Sequence, residues 1–186
     1  MVKKNVTPQK KTYWQLQDLV TIGVFAAVTK VLSLLVALIG GGMNPLTMIL
    51  KNLIFTTLVI VLLYKVRKFG TLMLFILVNT IISMLLMGGN PFLLPSMLLA
   101  GLVAEGTIVL LGGYTKSLQL IIGVGLYDLL YKTSALCISW LYMREQQELM
   151  VMASITVVIG YAGSLIGLFT GILFVKELRH ACIIRN

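Results

Sequence analysis

The chain has 186 residues, 59% hydrophobic and only 11% charged, with a mean hydropathy of +1.00 and a formal net charge of +9. A soluble domain of this length cannot hide so much apolar surface, because its surface-to-volume ratio demands a polar exterior. The positive charge concentrates between apolar runs, which describes a membrane face and argues against nucleic-acid binding.

Apolar runs near or above about 18 residues read as membrane-spanning helices. Six are expected, at about 16–38, 44–64, 70–87, 92–113, 117–142 and 149–175. They make residues 1–186 a single all-α polytopic membrane domain, with a basic tail over 1–15 and a second tail over 176–186. The opening "MVKKNVTPQKK" invites comparison with a signal peptide. The run after it is too long for an h-region, carries Lys30 and lacks an A-x-A cleavage site, so it is expected to stay attached. Tyr13 and Trp14 then stand where headgroups would anchor the first span.

Between the first and second runs comes "GGGMNP", Gly40 to Pro45, and its near copy "GGNPF", Gly88 to Phe92, separates the third from the fourth. Local chemistry reads each as a helix stop at glycine and a helix start at Asn-Pro. A second reading is a loop whose glycine backbone approaches a ligand closely and moves as a lid. The N-tail holds Lys3, Lys4, Lys10 and Lys11, and the second connection Lys65, Arg67 and Lys68. Lys116 lies in the fourth connection, and Lys176, Arg179 and Arg185 in the last tail. Both termini are therefore expected to be cytoplasmic: all eleven then face inward and Arg144 alone faces out, which is the positive-inside pattern.

Five charged residues fall inside the spans: Lys30, Lys51, Glu105, Asp128 and Lys132. Each costs about 2.5–3.5 kcal/mol near the bilayer centre, so each is a functional candidate. With a rise of about 1.5 Å per residue, Lys30 and Lys132 stand about 21–22 Å above the inner boundary and Lys51 about 10 Å below the outer one. All three ammonium groups therefore share a level in the outer half, while Glu105 falls deeper. Asp128 and Lys132 form an i,i+4 pair. In one reading that pair is self-contained, Glu105 finds a hydrogen bond or stays protonated, and the other lysines snorkel. In the other, the lysines face a shared outward cavity and hold a carboxylate or phosphate. Tyr127 and Tyr131 lie on the same face of span five as the acid–lysine pair.

Met43, Met48, Met84, Met87, Met97, Met143, Met150 and Met152 map to outer loops or outer helix ends. They read as apolar filler, or as an adaptable surface for a large apolar ligand or a soft metal. Gly163, Gly167 and Gly171 repeat every fourth residue in span six, a stripe that lets helices approach closely. Gly23 and Ala27 repeat the spacing in span one, where a partner protein is an equal possibility. Cys137 and Cys182 are expected at opposite membrane sides and so cannot pair. No phosphate loop, H-E-x-x-H or G-x-S-x-G motif occurs, and His180 is the single histidine. The chain thus carries no ATPase or hydrolase motif, and no intrinsic cofactor or metal site is expected.

The stretches "LQDLVTIGVFAAVTKVL", "YKVRKFGTLM", "MGGNPF", "LLAGLVAEGTIVLLGGYTKS" and "GYAGSLIGLFTGILFVKEL" resemble those of the substrate-binding S components of energy-coupling-factor (ECF) transporters. The likeness is in particular to the Trep_Strep, or MptD-like, group, and it runs over nearly the whole chain. The resemblance implies a bacterial cytoplasmic-membrane protein that captures a micronutrient (a vitamin, a precursor or a cofactor-like compound) in a cavity roofed by the first and third outer loops. It implies docking of span one, here through Gly23 and Ala27 in place of an A-x-x-x-A stripe, on a transmembrane T component. Two cytoplasmic ATPases would use ATP there, and the S component would topple to deliver its load. The candidate substrate residues are Lys30, Asn44, Met48, Lys51, Met87, Asn90, Glu105, Tyr127, Asp128, Tyr131 and Lys132. An anionic substrate fits the surplus lysines, with haem among the options. A stand-alone secondary transporter and a non-binding assembly subunit are the alternatives.

Overall fold

The computed structural model describes residues 13–41, 44–87, 93–114, 116–142 and 147–180, with the backbone alone at 87, 142 and 179. Six helices follow one another among them: α1 Leu16–Gly40, α2 Pro45–Lys65, α3 Thr71–Met87, α4 Leu94–Leu110, α5 Ser117–Tyr142 and α6 Gln147–His180. Their bounds follow the apolar runs closely. The exception is α6, which continues to His180 because Lys176, Glu177 and Leu178 favour helix even where the apolar pattern ends.

Helix ends are written in local chemistry. The Gln15 backbone N–H donates to Asp18 Oδ2 at 3.0 Å, satisfying a free donor at the start of α1, where an acid also suits the helix dipole. Gly41 ends α1 at φ +71°, a left-handed conformation that favours glycine. Asn44 is the extended residue before α2, and Pro45 opens it. The first Gly–Asn–Pro turn is therefore a helix stop and start; residues 42–43 and the whole of the second turn, 88–92, lie outside the described residues.

The centre of the bundle is α2. Its C-terminal half, Val59 to Tyr64, is buried on every side, as a helix apolar all round should be. Its most extensive partner is α6, and α1, α5 and α3 also pack against it. The glycine stripe of α6 explains the closeness. A Cβ at Gly167 would sit 2.8 Å from the Leu53 carbonyl oxygen and 2.9 Å from Thr56 Cβ. Gly163 meets the Ile49 backbone and Gly171 meets Ile60 in the same way. Thr57 Oγ1 adds a hydrogen bond to the Gly167 carbonyl at 3.2 Å. The stripe is used for internal packing.

Apolar side chains also cover the outside: Val24, Leu35, Leu86, Leu110 and Phe169 are all exposed. A monomer in water does not tolerate that, whereas lipid does. Four helices, α1, α2, α5 and α6, are long and apolar enough to cross a bilayer. The remaining two, α3 and α4, have 17 residues each, the short end of the spanning range.

Candidate functional site

Where the C-terminal half of α2 is packed solid, its N-terminal half borders a cavity of about 340 Å³. Lys51, Asn52 and Phe55 form the α2 wall, and Lys30 and Ser33 the α1 wall. Opposite stand Asn79 and Thr80 of α3, Met97 of α4, and Tyr127, Asp128 and Tyr131 of α5. A second space of about 280 Å³ shares Lys30, Asn79, Thr80, Met97 and Tyr131 with the first. It extends past Ser83, Met84 and Leu93, so the hollow continues toward the end of the bundle where α3 gives way to α4.

The charges on this wall are unequal in their commitments. The Lys30 ammonium donates to Ser83 Oγ, and neither Lys30 nor Lys51 has a carboxylate partner among the described residues. Asp128 is already engaged: Lys132 Nζ donates to its Oδ2 at 2.5 Å and to Ser164 Oγ of α6 at 2.9 Å. Lys132 is buried behind the wall, its ammonium 5.7 Å from the Tyr161 ring centroid. This i,i+4 pair thus ties α5 to α6 and cancels the one acid on the cavity, leaving two cations exposed to it. Phe55, Tyr127 and Tyr131 form an aromatic surface; the two tyrosine rings are 9° from parallel with centroids 6.2 Å apart.

A family model described as a hypothetical bacterial integral membrane protein (Trep_Strep) matches residues 16–148. The chain belongs to the Trep_Strep family. The match takes in α1 to α5, hence every helix that lines the cavity. No curated protein and no solved structure matches the chain.

Of the residues expected at a site, this Trep_Strep chain brings Lys30, Lys51, Tyr127, Asp128 and Tyr131 to one cavity. Lys132 is one layer behind them. Asn44 is exposed at the start of α2, and Met48 is half-buried one turn later, its carbonyl accepting from Asn52 Nδ2 at 2.8 Å. Neither lines the cavity. The Met87 side chain and Asn90 lie outside the described residues. Ser33, Asn52, Phe55, Asn79, Thr80 and Met97 complete the wall without having been singled out by sequence. Asn79 and Thr80 had a signal: they interrupt the apolar run "LFILVNTIISM" with side chains that need partners.

Glu105 is the clear correction. It is absent from the cavity lining and caps α3 at the opposite end of that helix. Its Oε1 accepts from the Leu72 N–H at 2.7 Å and the Met73 N–H at 3.4 Å, and its Oε2 from the Gly70 N–H at 3.0 Å. Tyr114 Oη adds a longer donation at 3.5 Å. Burial, then the adjacent Glu105, pushes the Tyr114 phenol well above the usual tyrosine range, so it remains a donor. The same end is closed by Lys68, which pairs with Asp18 at 2.5 Å and lies over the rings of Tyr13 and Trp14. The first tyrosine and tryptophan are therefore packed on the α2–α3 connection, with the Tyr13 hydroxyl accepting from the Phe69 N–H at 3.0 Å. Gly23 and Ala27 face away from the bundle: a Cβ at Gly23 would meet nothing, and Ala27 is exposed.

Proposed function

We propose that this Trep_Strep protein is the substrate-capture subunit of an ECF-type importer, taking a small anionic micronutrient from outside and handing it to a T component and two ATPases. In this reading all six helices span the bilayer, both termini are cytoplasmic and the hollow half of the bundle faces out. The observation that carries it is the cavity: two lysines from different helices face one space, and the acid beside them is neutralised. An intramembrane cation is expensive, and two directed at one cavity suit an anionic ligand. The distribution of lysine and arginine supports the orientation, because the end closed by Lys68 and Asp18 carries the basic connection. The volume, and the lack of histidine or cysteine on the wall among the described residues, favour a substrate smaller than haem.

Docking is assigned to the outward Gly23–Ala27 face, where a flat stripe lets another helix approach. The chain itself performs no catalysis in this account; ATP is used by the partners. The test is affinity purification from the native host after gentle extraction. Wild type should bring down a second membrane protein with ATPase subunits, and Gly23→Leu should lose them while keeping its own thermal midpoint. A chain that always arrives alone contradicts the importer reading, and a complex that survives Gly23→Leu moves docking off α1.

A further inference from the structure

Two lysines suit the cavity to an anion, yet an acid stands on its wall. Asp128 is 4% exposed and lines the space. Lys132 donates to its Oδ2 at 2.5 Å and to Ser164 Oγ at 2.9 Å, so the carboxylate is held from behind the wall. The other oxygen, Oδ1, accepts no hydrogen bond among the described residues. Nor is it shut away: the inaccessible side-chain atoms without a partner there are Thr56 Oγ1 and Asn79 Oδ1. Asp128 Oδ1 is therefore an accessible acceptor, and the open space that its side chain borders is the cavity.

Asn52 of the α2 wall stands beside the pair. A Cβ at Gly160 would lie 3.0 Å from Asn52 Nδ2 and 3.4 Å from Lys132 Cε, so the two side chains meet over that glycine. Asn52 Nδ2 donates to the Met48 carbonyl at 2.8 Å, and its Oδ1 is a second accessible acceptor. Lys30 comes from α1, Lys51 from α2 and Asp128 from α5, so cations and acid face the space from different elements. A purely anionic ligand gains nothing from an acid at its side, and a carboxylate in a bilayer is expensive to keep. A donor on the ligand turns that oxygen into an attractive contact, and a charged donor makes the strongest one.

Building on the capture reading, we propose that the captured solute is an anion that also carries a protonated amine, as an aminodicarboxylate or an aminoalkyl phosphate does. Lys30 and Lys51 hold its acidic part, and Asp128 Oδ1, with Asn52 Oδ1 beside it, accepts from its ammonium group. Lys132 offsets the charge of Asp128 while leaving that oxygen open, so the cavity stays positive and the solute's negative charge exceeds that of its amine. A simple amine meets two lysines and is refused; a simple acid leaves Asp128 Oδ1 unpaired beside its own charge.

The test is chemical typing of the molecule that the wild-type chain carries out of cells. The bound molecule is released, retained on an anion exchanger and treated with an amine-selective acylating reagent. It should bind the exchanger and take up one acyl group. Calorimetric titration of the released molecule into the full chain in lipid nanodiscs should then show binding weaker by about tenfold or more for an Asp128→Asn, Lys132→Met double variant, whose pair is neutral but of similar shape. An anionic molecule that takes no acyl group overturns the inference and keeps the capture reading, and that result needs no variant to fold. Undiminished binding by the double variant at an unchanged thermal midpoint also overturns it. A wild-type chain that carries no molecule removes the capture reading and this inference with it.

Discussion

Replacing Glu105 separates a structural carboxylate from a binding one. The side chain is 1% exposed, and two of the bonds it accepts are short, 2.7 Å from Leu72 and 3.0 Å from Gly70. Hydrogen bonds to a charged group contribute about 1.5–3 kcal/mol each. Glu105→Ala removes both and leaves the first N–H groups of α3 without an acceptor, so it should cost about 3–6 kcal/mol. Glu105→Gln keeps one oxygen and turns an amide N–H toward the other donor, so it should cost about half of that. For a chain of this size each kcal/mol lowers the unfolding midpoint by about 2–4 °C. The midpoint in mild detergent should therefore fall by about 6–24 °C for Glu105→Ala and by about half as much for Glu105→Gln. Ligand affinity of the folded fraction should stay at the wild-type value. A Glu105→Gln protein with an unchanged midpoint and lost binding would refute the capping role and return the residue to the site.

Two further substitutions test the packing and the charge arrangement. Gly167→Ala places a methyl against the Leu53 backbone and Thr56, and overpacking of this kind costs about 1–3 kcal/mol, whereas Gly23→Ala meets nothing and should leave the midpoint in place; equal midpoints for the two would deny the tight α2–α6 contact. Lys132→Met strands the buried Asp128 and should cost about 3–5 kcal/mol, with Asp128→Asn in the same chain restoring most of the loss. Additive losses in that thermal cycle would mean that the two groups do not act as a pair.

The helices were legible because apolar runs of spanning length were punctuated by Gly41, Gly70 and the Asn44–Pro45 step. That Lys30 and Lys51 stand at a similar level of the bundle was legible as well, since rise per residue is fixed. Their convergence was not, because it depends on the rotation of α1 and α2 about their axes, which packing decides. Glu105 was counted among the site residues for a related reason: its partners are backbone donors 32 to 35 residues away in the chain, and backbone donors leave no mark in a sequence. Asn79 leaves a weaker mark than the lysines because it carries no formal charge, although a carboxamide in an apolar run also requires a partner. The stripe of α6 and that of α1 look alike in sequence. Only the neighbours distinguish them, α2 against Gly167 and open surface at Gly23.

The measurement that bears most directly on the central claim is native mass spectrometry of the chain extracted gently from cells grown in rich medium. The account predicts one small molecule of defined mass per chain on the wild type, and its loss from a Lys30→Met, Lys51→Met double variant whose thermal midpoint is unchanged. A ligand retained by that variant, or a wild-type chain that carries none, would contradict the claim that this cavity captures an anionic solute.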